Sequence, residues 1–146
     1  GPGPGGGGCG RGGAGMDGKF PETISFRGTV DGPRTWEVLK AADILAVPSH
    51  SEGFPGAIVE AMAAALPVIC SPAGAIADVL SQDENAIFVK PGDREGLAGA
   101  LEELINDPAR RHTMGAANLR LYREKLTPEK AAVAIGEIFS KVISER

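Results

Sequence analysis

From Thr23 onward, short apolar runs alternate with stretches of helical period, and this alternation constrains the fold more than any other feature of the chain. "TISFRG" (23–28) reads as a strand ended by Gly28. "PRTWEVLKAA" (33–42) reads as a helix with Pro33 at its first position, where a missing N–H costs nothing, and with Trp36, Val38 and Leu39 turned inward. "DILAVPS" (43–49) is a continuous apolar run stopped by Pro48, the pattern of a strand covered on both faces. "PGAIVEAMAAAL" (55–66) is an Ala-rich helix with Ile58, Met62 and Leu66 at helical spacing. "PVICS" (67–71) and "AIFVK" (86–90) are further strands, with a short helix near 75–80 between them.

Three helices are expected after the last strand. The first runs from about Asp93 to Asn106, with Asp93 as its N-cap and Leu97, Leu101, Leu104 and Ile105 on one face. Asp107-Pro108 starts the second, and Thr127-Pro128 starts a third whose Ile135, Ile138, Phe139, Val142 and Ile143 make an apolar stripe. Strand and helix in alternation predict an α/β fold: a Rossmann-like parallel sheet with right-handed crossovers and helices on both faces. Ligands of such sheets lie beyond the carboxyl ends of the strands, which singles out loops 27–33, 48–56, 71–75 and 90–93.

Composition narrows the class. Eleven of the 21 glycines fall within residues 1–18, a stretch with almost no apolar side chain to bury, so residues 1–20 read as a disordered Gly-rich tail or leader and residues 21–146 as the folded part. A formal charge of −4 with scattered Lys and Arg argues against a nucleic-acid partner. No apolar run approaches the ~20 residues that span a bilayer, and the amino terminus lacks the apolar core of a secretion signal. Cys9 and Cys70 match no metal-ligand spacing and read as reduced thiols, so a soluble, cytoplasmic protein is expected.

The stretch "SHSEGFPGAIVEAM" (50–63) sets a carboxylate on each side of a helix start, Glu52 before it and Glu60 about a turn inside. Unpaired N–H groups and about half a positive charge from the aligned peptide dipoles stabilise an anion at that end without a lysine. Gly53 and Gly56 let backbone approach such a ligand, and Pro55 suits the first helical position. Two carboxylates make poor phosphate ligands. They make good hydrogen-bond acceptors for hydroxyls on either side of a diphosphate, a sugar on one side and a ribose on the other. His50 stands beside them, Lys90 and Arg27 end strands on the same side, and an exposed loop position remains the simpler reading of all three.

"ADILAVPSHSEGFPGAIVEAMAAALPVICSPAGAIADVL" followed by "NAIFVKPGDREGLAGALEELINDPARR" resembles the carboxyl-terminal, donor-binding half of the retaining GT-B glycosyltransferases of group 1. The similarity runs from about Ile24 to Arg146, on an "EGFP…EAMA" frame with two glutamates separated by seven residues, then a "PV" strand, a small-residue turn and "PGD". The resemblance implies a nucleoside-diphosphate sugar as donor substrate, transfer of a hexose to an acceptor hydroxyl with retention, and no resident cofactor or obligatory metal. It assigns the catalytic position to Glu52, at the donor-sugar hydroxyls, and the ribose to Glu60. Gly53, Phe54 and Gly56 would line the sugar and diphosphate. Ala73 and Gly74 fall where the family carries paired glycines near the nucleotide, Ala73 being a mild departure.

The resemblance also implies what this sequence does not carry. The family's basic pair comes from a segment upstream of "TISF", whose place the Gly-rich tail occupies, and its acceptor-binding amino-terminal domain has no counterpart here. A missing amino-terminal domain or a partner subunit is therefore expected, and the fragment alone should turn over poorly. Two other readings stay open: a non-catalytic interaction module, and a GT-B epimerase or phosphorylase. In the doubly wound order 3-2-1-4-5-6 the strands present would be the third to the sixth, which leaves an incomplete sheet with a bare edge along "ILAV". Such an edge predicts self-association at micromolar concentration; a cooperative melt by circular dichroism together with a monomeric mass would contradict it.

Overall fold

The computed structural model describes residues 23–30, 32–48 and 56–145. The chain divides into two compact units, Gly1–Val38 and Leu39–Arg146. In the first unit, residues 23–30 form no strand, which corrects the expectation for "TISFRG". A strand exists only through a ladder with a neighbour, and among the described residues the sheet has three members, none of them from this segment. Ile24 and Phe26 are accordingly half exposed, and Gly28 and Gly32 turn the backbone with φ of 67° and 56°. Thr35 ties the turn to the helix that follows: its Oγ1 donates to the Val30 carbonyl at 3.1 Å and its N–H to Gly32.

That helix, α1, spans Pro33–Ala41. Of its expected inward residues only Leu39 is buried; Trp36 is 43% exposed and Val38 is exposed too, so the assignment of Trp36 to a core is corrected. Helical period places the three on one broad stripe, but a stripe is buried only where another element covers it.

The second unit holds a parallel sheet in the order β1-β2-β3, with β1 at Leu45–Val47, β2 at Val68–Cys70 and β3 at Ala86–Phe88. Register pairs Leu45 with Val68 and Val68 with Ala86. Among the described residues β1 pairs only with β2, so the edge expected to be bare along "ILAV" has no partner strand among them, and its Ala46 is exposed between two half-buried neighbours.

Helices α2 (Gly56–Ala63) and α3 (Ile76–Val79) connect the strands; α4 (Arg94–Ile105) and α5 (Pro108–Leu121) follow them. A π-helical turn, Tyr122–Leu126, leads into α6 (Pro128–Ser144). Period two along β2 separates the two halves of the core. Val68 and Cys70 pack with Ile58, Ala61 and Met62 of α2 and with Ile76, while Ile69 packs on the other face with Ile87, Val89, Leu104 and Met114. Every residue of β2 is wholly buried, and each large aliphatic side chain so buried contributes roughly 1.5–3 kcal/mol.

The expected caps form. Asp93 accepts from the Gly96 N–H at 2.9 Å, Asp107 from Arg110 at 3.0 Å and Thr127 from Lys130 at 3.3 Å. Arg111 closes the far end of α4 by donating to the Leu104 and Ile105 carbonyls. On α6, Val133, Val142 and Ile143 are exposed; the side chains of Ile135, Ile138 and Phe139 lie outside the described ones.

The corner between α2 and β2 is the tightest joint. Leu66 N–H reaches back to the Ala61 carbonyl at 3.0 Å, and Ala65 takes the left-handed conformation with φ of 58°, a helix stop usually built on glycine. Helix α5 crosses this corner through Gly115, where an added Cβ would lie 2.1 Å from the Ala65 carbonyl oxygen. Three residues on, Asn118 donates to the Leu66 and Asn85 carbonyls at 2.8 and 2.9 Å and accepts from Asn85 Nδ2 at 3.0 Å. Both asparagines are buried, and each carries its hydrogen bonds in full view of the loops it ties.

A paired substitution tests the corner. Helix propensity alone favours Ala over Gly by about 1 kcal/mol, so Gly99→Ala in α4, where an added Cβ meets nothing, should stabilise by about that amount. At Gly115 the struck atom is backbone, overpacking of ~1–3 kcal/mol outweighs propensity, and Gly115→Ala should lower stability by about 2 kcal/mol. Urea denaturation of the two variants measures the opposite signs; equal stabilisation would remove the corner from this account.

Candidate functional site

Parallel strands deliver their following loops to one end of the sheet. Pro48 leaves β1 there, 71–75 leave β2 and 89–93 leave β3, so three of the four loops singled out from the sequence start at the carboxyl end, residues 49–55 of the first lying outside the described residues. Loop 27–33 belongs to the first unit and has no place in the sheet.

Of the site residues expected from the sequence, Glu52, Gly53 and Phe54, together with His50, lie outside the described residues. Gly56, Glu60, Ala73 and Gly74 all lie in elements that leave the carboxyl end. Gly56 opens α2, is exposed, and has free space where a Cβ would stand. No acidic side chain occupies the first turn of α2, so its N–H groups and dipole are not offset from within the helix. Glu60 is exposed and stands four residues after Gly56, hence on the same face, while Ile58, Ala61 and Met62 turn into the core. Helical side chains lean back towards the amino end, which carries the Glu60 carboxylate in the direction of the first turn of α2.

The loop after β2 turns at Gly74, whose φ is 54°, and the Ala73 carbonyl accepts from Ile76 N–H at 3.2 Å as α3 begins. Ala73 is half buried and Gly74 exposed. The third loop closes with Asp93 N–H on the Lys90 carbonyl, Gly92 at φ of 83° and Lys90 exposed at the strand end. Asp93 is occupied as the α4 cap, as expected, and Asp78 is an exposed residue of α3 with no role at the site.

One residue of this end escaped the sequence reading. Ser71, the first residue beyond β2, is 1% exposed, and its Oγ has no hydrogen-bond partner among the described residues. In the sequence it is the last letter of an apolar run, and only its hydroxyl beside a proline distinguishes it. Its neighbour Cys70 is buried as well, and burial pushes that thiol up to about 11, so it stays neutral and unreactive at physiological pH. Among the described residues no three His, Cys, Asp or Glu side chains gather as a metal site, and no helix is long and apolar enough to cross a membrane.

A sequence profile described as "Glycosyl transferases group 1" matches residues 19–120. The lipopolysaccharide core biosynthesis mannosyltransferase LpcC of Rhizobium leguminosarum bv. viciae is 32% identical over 124 residues, 85% of this chain and 35% of that protein. The D-inositol 3-phosphate glycosyltransferase of Xylanimonas cellulosilytica is 32% identical over 73% of this chain and 25% of its own length. Among solved structures, the sucrose-phosphate synthase of Thermosynechococcus elongatus superposes with a TM-score of 0.76 at 28% identity, over 84% of this chain and 31% of that one. The carboxyl-terminal domain of the group 1 glycosyltransferase LpcC from Francisella tularensis gives 0.63 at 31% identity, over 72% and 53%. The chain thus spans about a quarter to a third of the length of these two curated relatives.

A chemical check follows from Cys70. In a Cys9→Ser background, Ellman's reagent at neutral pH should leave the folded protein almost unlabelled and react promptly once urea unfolds it. Equal rates in the two states would show the thiol to be accessible and its burial wrong.

Proposed function

The chain belongs to the group 1 glycosyltransferases, and from that premise we propose that it is the donor-binding part of an enzyme that moves a hexose from a nucleoside-diphosphate sugar to an acceptor hydroxyl with retention of configuration. The observation that carries this reading is the amino end of α2, where an open glycine and a glutamate one turn later share a face at the carboxyl edge of a parallel sheet. The diphosphate sits at the N–H groups of α2, near Gly53, Phe54 and Gly56. Glu60 accepts from the ribose diol, Glu52 approaches the hydroxyls of the donor sugar, and Ala73 and Gly74 bring backbone to the nucleotide. The mannosyl transfer in the name of the Rhizobium relative supports a hexose as the group moved.

The chemistry assigned to this half is electrostatic. The bond from the anomeric carbon to the diphosphate oxygen breaks as the acceptor oxygen bonds to that carbon, the acceptor's hydroxyl proton passes to the departing diphosphate, and the dipole of α2 stabilises the negative charge on that group. This reading asks for no resident cofactor and places the protein in the cytoplasm. The acceptor and the basic groups that complete diphosphate neutralisation come from an amino-terminal domain or a partner subunit, so the chain alone binds donor and turns it over poorly. The exposed Val133, Val142 and Ile143 of α6 favour a second reading, a non-catalytic module that docks on a partner.

Isothermal titration of the folded chain with UDP, GDP and ADP separates the two. The donor reading expects heat with one of them and, for Glu60→Gln, affinity lower by on the order of tenfold, because hydrogen bonds to a charged group contribute roughly 1.5–3 kcal/mol. No heat with any nucleotide, or a Glu60 variant that binds unchanged, would leave the docking module standing.

A further inference from the structure

Buried polar groups in this protein find partners wherever the fold can supply one. Asn85 and Asn118 are satisfied by each other and by three loop backbones, and the half-buried Thr35 hydroxyl donates to the Val30 carbonyl. Ser71 departs from that pattern: among the described residues its Oγ is the buried side-chain oxygen or nitrogen with no partner. A hydroxyl desolvated without a hydrogen bond is a net cost that an alanine of nearly the same size would not carry. The next residue cannot donate to it, since Pro72 has no N–H. An orphan of this kind in a native fold calls for a physical reason.

Position supplies the reason. Ser71 is the first residue past the carboxyl end of the central strand, and Pro72 and Gly74, the next exposed residues along the chain, bring the surface within a residue of it. The same short segment carries the Ala73-Gly74 turn. We infer that Ser71 is a donor-binding residue whose hydroxyl is left unpaired in the free protein and donates its hydrogen bond to an oxygen of the bound nucleoside diphosphate. The inference rests on the donor-site reading above and adds to it a residue, a direction for the hydrogen bond and a distinctive energetic signature. A hydroxyl that is paired in the free protein stabilises that protein; one reserved for a ligand destabilises it and repays the cost on binding.

The signature is tested on the full chain with Ser71→Ala and Ser71→Thr, by thermal melts without ligand and by titration with UDP, GDP and ADP. The expected result is a Ser71→Ala melting temperature equal to or above that of the wild type, with affinity for the bound nucleotide lower on the order of tenfold, and recovery of most of that affinity in Ser71→Thr. A Ser71→Ala protein that melts several degrees lower would show the hydroxyl to be paired already and would overturn the inference. Unchanged nucleotide affinity in Ser71→Ala, while Glu60→Gln weakens it, would overturn the inference and leave the donor site intact. A wild type that binds none of the three nucleotides would remove both.

Discussion

The contact on which the rest depends is the crossing of α5 over the corner between α2 and β2. Gly115 brings one helix backbone against the Ala65 carbonyl, and Asn118 hydrogen-bonds the next carbonyl, that of Leu66. A helix end left in the left-handed conformation at an alanine is a strained stop, and it is held by a neighbour that admits no movement. Because α2 is only eight residues long, fixing its carboxyl end fixes its amino end as well, and with it the direction of Gly56 and Glu60.

The two ends of the sheet are built for different purposes. At the amino end, Asn85 and Asn118 close a polar network in which every hydrogen bond is made, and the cost of burying amide groups is offset there. At the carboxyl end the inventory differs: a first turn of α2 without an acidic side chain, glycine turns with positive φ after β2 and β3, and the Ser71 hydroxyl without a partner among the described residues. A parallel sheet covered by helices on both faces separates these tasks, since its strands carry the core between them. The chain belongs to the group 1 glycosyltransferases and shares its architecture with a solved sucrose-phosphate synthase.

The apolar residues that stay exposed follow the same logic of cover. Ile24, Phe26 and Trp36 in the first unit, and Val133, Val142 and Ile143 on α6, carry the periodicity of buried faces without the burial.

The elements that depend on local rules were legible in the amino-acid sequence. The Asp93 cap placed α4, proline at a first turn with Asp or Thr before it placed the starts of α5 and α6, and continuous apolar runs marked all three strands, because caps and alternation act over a few neighbouring residues. The two glutamates and their glycines form a local frame at a helix start, and of them the structure describes Gly56 and Glu60, at the amino end of α2 and one turn on. What failed was whatever needs a distant partner. "TISFRG" has the composition of a strand but no ladder, and Trp36 has the spacing of a core residue but no cover. Ser71 was invisible for the converse reason, since whether a hydroxyl is paired depends on atoms brought from far along the chain. Local propensity is written residue by residue, whereas burial, pairing and their absence are properties of the packed whole, and only the tertiary structure decided them.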